Sequence, residues 1–140
     1  MIDIRAYDKP LIVAGHGIRL ADAIDDFYKL IDKLQILVVT TFNGFDLMPS
    51  DHPLFKGRIG TVGTPEGNKV LQESDCVIFM GTRNNIRQIS YQWQNFANNA
   101  CKIIIDIDKE EIKKPTIKAD IYYNMDLKKF IQGWLNDLSV

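Results

Sequence analysis

Leu11-Ile12-Val13-Ala14-Gly15, entered from Pro10 and followed by His16-Gly17, is the stretch on which the fold turns. An apolar run with no polar alternation reads as a strand buried on both faces, and such strands belong to parallel sheets covered by helices. Beyond it, Leu20, Ile24, Phe27, Ile31 and Leu34 recur at helical spacing, while Asp22, Asp25, Asp26, Lys29 and Asp32 take the opposite side. That pattern is one apolar stripe on one surface helix, with early aspartates that suit the helix dipole. Ile36-Leu37-Val38-Val39-Thr40 is a second strand. A helix between the two makes a parallel crossover the natural connection.

The alternation continues to the end of the chain. Residues 76–81 (CVIFMG) and 102–108 (KIIIDID) are further apolar strands, with Ile86, Ile89, Trp93 and Phe96 hinting at helical turns between them. Asp120-Ile121-Tyr122-Tyr123 is a weaker final strand, and Leu127, Phe130, Ile131, Trp134, Leu135 and Leu138 mark a last helix capped by Asp126. Thr64-Pro65-Glu66 offers an N-cap followed by proline at the first helical position, ahead of Val70 and Leu71. From Thr41 to Thr64 the apolar residues follow neither period, and glycines and prolines interrupt them, so the segment reads as a long irregular connection. The expected architecture is a Rossmann-like three-layer α/β/α sandwich around a mainly parallel, six-stranded sheet.

At 140 residues and 46% hydrophobic, the chain supports one real core and is too short for two ordinary domains. Seventeen basic against eighteen acidic side chains, with no dense basic patch, speaks against a nucleic-acid partner; Lys113-Lys114 is a short solvated pair. Cys76 and Cys101 both lie in apolar runs and form no CxxC pair, which reads as reduced core thiols, no structural zinc and a cytoplasmic setting. No signal-peptide core and no apolar run of about 18 residues is present, so secretion and a membrane partner are not expected.

Ligands of open parallel sheets sit beyond the carboxyl ends of the strands. Gly15-His16-Gly17, Thr40-Thr41-Phe42, Gly81-Thr82-Arg83 and Asp106-Ile107-Asp108 fall at such ends. Glycine there permits close backbone approach, Arg83 and Arg87 suit an anion, and Asp106 or Asp108 suits ribose hydroxyls; plain turn geometry is the competing explanation. His16 has no nucleophile or metal partner in any motif, and His52, in Asp51-His52-Pro53, suits loop packing. Two histidines 36 positions apart build no metal site by themselves. Trp93 and Trp134 read as packing residues. Gly15-His16-Gly17-Ile18-Arg19-Leu20 lacks the third glycine of a G-x-G-x-x-G loop, which leaves a stand-alone NAD-type oxidoreductase as a minor alternative.

Several landmarks in order carry a resemblance. Lys9 to Gly15 opens the series, followed by Thr40-Thr41-Phe42-Asn43-Gly44 and Asp51-His52-Pro53-Leu54-Phe55-Lys56-Gly57. Gly60-Thr61-Val62-Gly63-Thr64-Pro65-Glu66, Glu73-Ser74-Asp75, Gly81-Thr82-Arg83 and Asp106-Ile107-Asp108 complete it. Together they resemble the central domain of thiamine-diphosphate-dependent enzymes, in particular the acetolactate-synthase-like branch. The resemblance implies that residues 10–140 are that domain, with 1–9 an N-terminal extension or linker. It also implies a parent transferase or lyase that uses thiamine diphosphate and magnesium to decarboxylate or join 2-keto acids. The partners would be a pyrimidine-binding and a diphosphate-binding domain, in a homodimer or homotetramer, and the isolated chain could self-associate. The chain itself would be a scaffold with no catalytic residue, no metal and no cofactor of its own.

In some similar enzymes the central domain binds FAD or an adenine nucleotide, and an FAD- or ADP-binding module is the alternative reading. Carried over by motif, the cofactor-binding residues would be Gly15, Gly17, Gly60, Gly63, Thr64, Gly81, Thr82, Arg83, Arg87, Asp106 and Asp108. Two departures stand out. Asn124-Met125-Asp126 replaces a Gly-Asp pair after the last strand, and Thr82-Arg83-Asn84-Asn85-Ile86-Arg87 replaces an Arg-Phe-Asp-Asp-Arg arrangement.

Overall fold

The computed structural model of the protein describes residues 2–40, 51–58, 65–82, 100–106 and 120–138. Six strands form one sheet: β1 (Pro10–Ala14), β2 (Leu37–Thr40), β3 (Phe55–Arg58), β4 (Cys76–Met80), β5 (Cys101–Asp106) and β6 (Ile121–Asn124). Their order is β3-β2-β1-β4-β5-β6, and every pairing is parallel. This is the doubly wound order, in which β1 lies at the centre and successive strands are added outward on one side up to β3 and on the other side from β4, with the switch point between β1 and β4.

The buried faces explain the apolar runs. Ile12, Ala14, Val38, Ile78, Met80, Ile103 and Ile105 line one face; Leu11, Val13, Val39, Val77, Phe79 and Ile104 line the other. On the first face pack α1 (Gly17–Leu20), α2 (Ile24–Leu34) and the final helix, α4 (Leu127–Leu138); α3 (Pro65–Glu73) covers the second through Leu71 and Val70. Three layers result, as the sequence predicts.

Aromatic packing anchors α4. Trp134 and Phe130 are fully buried with ring centroids 5.8 Å apart in edge-to-face geometry, and Phe130 meets Tyr123 of β6 at 4.9 Å. Asp126 caps the helix, its Oδ2 accepting from the Lys129 amide at 3.0 Å. Both features match the sequence expectation for Trp134 and Asp126; Trp93 lies outside the described residues.

Two expectations need correction. The stripe starting at Leu20 is not one helix: α1 ends where the Ala23 amide donates to Ile18 (3.0 Å) and the Asp22 amide to Arg19 (3.0 Å). That is a Schellman turn, with Asp22 left-handed at φ 56° where glycine is more usual. The break resets the helical phase, so Ile18 enters the core while Leu20 is 72% exposed. The second correction is β3, a strand within the stretch expected to be irregular. It is short, carries Lys56, Gly57 and Arg58, and slips register against β2 between Val38 and Thr40, so neither periodicity nor apolar content announces it. Nearby, the Leu54 amide donates to Nδ1 of His52 at 3.1 Å, the loop-packing role expected of that histidine.

The amino-terminal edge is tied by carboxylates. Asp75, just before β4, accepts from the amides of Asp8 and Lys9, each at 2.8 Å, and Asp120, just before β6, accepts from the Lys102 amide at 2.8 Å. In each case an aspartate at the start of one strand takes an amide beside the start of its neighbour.

Candidate functional site

At the carboxyl edge, β1 and β4 end side by side, and the turns after them meet backbone to backbone. The Gly15 amide donates to the Met80 carbonyl (2.9 Å) and the Gly17 amide to the Gly81 carbonyl (3.0 Å). A Cβ on Gly15 would overlap the Gly81 carbonyl oxygen; one on Gly17 would stand 2.6 Å from the Gly81 α-carbon. Gly81 holds φ +66°, and a Cβ there would stand 2.6 Å from the Gly17 α-carbon. These three glycines are needed first by each other.

Next along the edge, Thr82 is buried, and the Gly81 amide points at the Ile105 carbonyl of β5 at 3.5 Å. The Asp106 carbonyl accepts from Asn124 Nδ2 (3.1 Å) and the Met125 amide (3.2 Å). Met125 stands where the related pattern has glycine, and its side chain is partly buried against the core on the α2 and α4 face of the sheet. Gly15, Gly17, Gly81, Thr82 and Asp106 therefore lie along one edge over three neighbouring strands. The other candidates, Gly60, Gly63, Thr64, Arg83, Arg87 and Asp108, lie outside the described residues, as do Ile86, Ile89, Trp93 and Phe96.

Whether this edge fits a dinucleotide turns on its donors. The amides of Gly15, Gly17, Ile18, Arg19 and Leu20 are all spent on carbonyls of the chain itself. The α1 helix has only four residues. Those five amides are thus engaged within the chain and not held out as a cradle for a diphosphate, the usual device of a first βα turn. One feature points the other way. The Thr40 hydroxyl, at the end of β2, is fully buried with no hydrogen-bond partner among the described residues, which is costly unless something else supplies one. Thr40 ends an apolar strand with a hydroxyl, which was the available signal, although it was not among the expected cofactor contacts.

Exposed His16 opens α1 without a side-chain capping bond. Among the described residues, no group of three His, Cys, Asp or Glu side chains converges to hold a metal ion. No described helix is long and apolar enough to cross a membrane.

Fold and edge together define a doubly wound α/β domain whose switch point is fastened by its own backbone. Residues 3–133 match the family model for the central domain of thiamine pyrophosphate enzymes, and the chain belongs to that family. It is 36% identical over 135 residues to a probable acetolactate synthase large subunit of Methanococcus aeolicus, a match that covers 96% of this chain and 22% of that protein. Against the acetolactate synthase large subunit of Lactococcus lactis it is 36% identical over 128 residues, covering 91% and 22%. A shorter match, 39% over 80 residues, covers 57% of this chain and 12% of a 3D-(3,5/4)-trihydroxycyclohexane-1,2-dione hydrolase of Geobacillus thermodenitrificans. The chain thus spans about a fifth of the length of the acetolactate synthase subunits it matches.

Proposed function

We propose that the chain serves as the non-catalytic central scaffold of an acetolactate-synthase-like enzyme, one that uses thiamine diphosphate and magnesium to decarboxylate and join 2-keto acids. The observation that carries this reading is the backbone closure of the switch point, in a chain whose family match runs from residue 3 to 133. A sheet whose first and fourth strand-end turns bond to each other is suited to hold neighbouring domains at fixed spacing. In this reading thiamine diphosphate supplies the carbanion chemistry from pyrimidine- and diphosphate-binding domains, within a cytoplasmic homodimer or homotetramer. The chain's own share is rigidity. Supplied with pyruvate, thiamine diphosphate and magnesium, the purified 140-residue chain is expected to consume no pyruvate. Carboligation by the chain alone would overturn the proposal.

The Thr40 hydroxyl, buried with no hydrogen-bond partner among the described residues, favours a second reading, an FAD- or ADP-binding module. In it the nucleotide lies along the carboxyl edge against Thr40, Gly15, Gly17, Gly81, Thr82 and Asp106, and Gly60, Gly63, Thr64, Arg83, Arg87 and Asp108 join these contacts on the strength of the motif resemblance alone. Titration with FAD and with ADP, read by flavin fluorescence and calorimetry, separates the two. Saturable binding with Kd below about 1 mM supports the module, and its absence removes it.

A further inference from the structure

Cys76 and Cys101 open β4 and β5 at the amino-terminal edge, opposite the candidate site, and neither functional reading uses them. They are direct register partners, so both side chains project from the same face of the sheet. That placement agrees with packing: Cys76 is fully buried in the core under α2 and α4, and half-buried Cys101 packs against the same core. Directly paired residues on adjacent strands have α-carbons close to the strand spacing of about 4.8 Å, inside the range of about 4.4–6.8 Å that a disulfide bridges. Tyr7, just ahead of β1, packs against the same core, and the Asp75 carboxylate that holds residues 8 and 9 directly precedes Cys76 in the chain.

We propose that Cys76 and Cys101 are an oxidation site, a thiol pair that a hydroperoxide converts to one intrachain disulfide between neighbouring parallel strands. Half-buried Cys101 meets the oxidant first. Its sulfur attacks the peroxide, the O–O bond breaks, and the products are a sulfenic acid and water or an alcohol. The Cys76 sulfur then attacks the sulfenic sulfur; the S–O bond breaks, the S–S bond forms, and water leaves with the Cys76 proton. Two thiols are oxidised by two electrons in all, and one peroxide is reduced. The order follows from exposure, Cys76 being buried and Cys101 half-buried; burial also pushes the Cys76 thiol up to about 12, which makes its attack on the sulfenic sulfur the slow step.

The test treats the native chain with hydrogen peroxide, followed by intact mass, maleimide labelling in denaturant and peptide mapping. The expected result is a monomer lighter by two hydrogens, loss of both reactive thiols, a linked peptide pair holding Cys76 and Cys101, and recovery of both thiols with dithiothreitol. Cys76→Val and Cys101→Val, each checked for a native circular dichroism spectrum, are expected to lose no hydrogens as monomers. The proposal is overturned if both native thiols still label, if Cys101 gains oxygen without forming the link, or if disulfide-linked dimers are the only product. It is equally overturned if the link forms only when peroxide is added in denaturant.

Discussion

Gly81 sits in a left-handed conformation with its α-carbon against Gly17, so any side chain there meets two penalties at once. The backbone alone costs roughly 1–2 kcal/mol for an L residue. The overlap with Gly17 adds to it, because the neighbour is backbone and has no rotamer to retreat into. Gly81→Ala is therefore expected to lose at least about 2 kcal/mol, read as a lower urea midpoint with unchanged slope; an unchanged midpoint would show that the two turns are not in contact. The motif was legible in the sequence, but its purpose was not, since strand-end glycines look alike whether a phosphate or another glycine needs the space. At the other edge, burial first, then Cys101 and Asp75, pushes Cys76 from an ordinary 9.0 up to about 12, and the Cys101 hydrogen bond, then burial, pushes Tyr7 from 10.0 up to about 12. Both groups hold their protons more tightly folded than unfolded. Their contribution to stability is whole below about pH 9 and is lost as pH rises towards about 12. Chemical denaturation at successive pH values is expected to show that decline, and the Cys76→Val, Tyr7→Phe double variant is expected to show less of it.

Helices α2 and α4 share one face of the sheet, and a polar contact ties them where Gln132 Nε2 donates to Asp26 Oδ2 at 3.2 Å. On α4 the buried Trp134 ring and the Asp126 cap make contributions of different size. Trp134→Ala is expected to cost about 3–5 kcal/mol through the cavity it leaves, and Asp126→Ala about 1 kcal/mol through the lost cap. Thermal melts of the two variants should therefore differ plainly; equal losses would mean that Trp134 is not packed as described. This helix could be read almost entirely from sequence, because spacing, cap and aromatic content all agree. The stretch from Gly17 to Leu34 could be read only in part. Read as sequence, the three- and four-residue spacing from Leu20 runs straight across the Schellman turn at Asp22, although Leu20 itself is exposed, and α2 ends at left-handed Gln35, with no glycine to mark the stop. Strand β3 was invisible for a different reason: its place is set by pairing with β2, a long-range property that four residues such as Phe-Lys-Gly-Arg do not encode locally.

Across the whole molecule, three layers and a mainly parallel sheet follow from apolar runs alternating with amphipathic stripes; that every pairing among the described strands is parallel comes from the structure. Strand order is not legible this way, because periodicity says which face a residue takes and not which strand lies beside it. The order observed sets β1 between β2 and β4. Asp75 reinforces that junction by holding the amides just ahead of β1. Asp75→Ala is expected to speed amide exchange at Asp8 and Lys9 and to lower global stability by about 1–3 kcal/mol; protection that stays unchanged at both amides would contradict the contact. The central position of β1 also has a consequence in time. During synthesis the first strand of the unit emerges long before one of its two neighbours, since Leu11 waits for Val77 and Ala14 for Met80. Until then it is an apolar ribbon with an open side, exposed to whatever else the cell offers it. Ribosome-bound chains stalled before β4 should need chaperone cover, and those stalled after the sheet is complete should not.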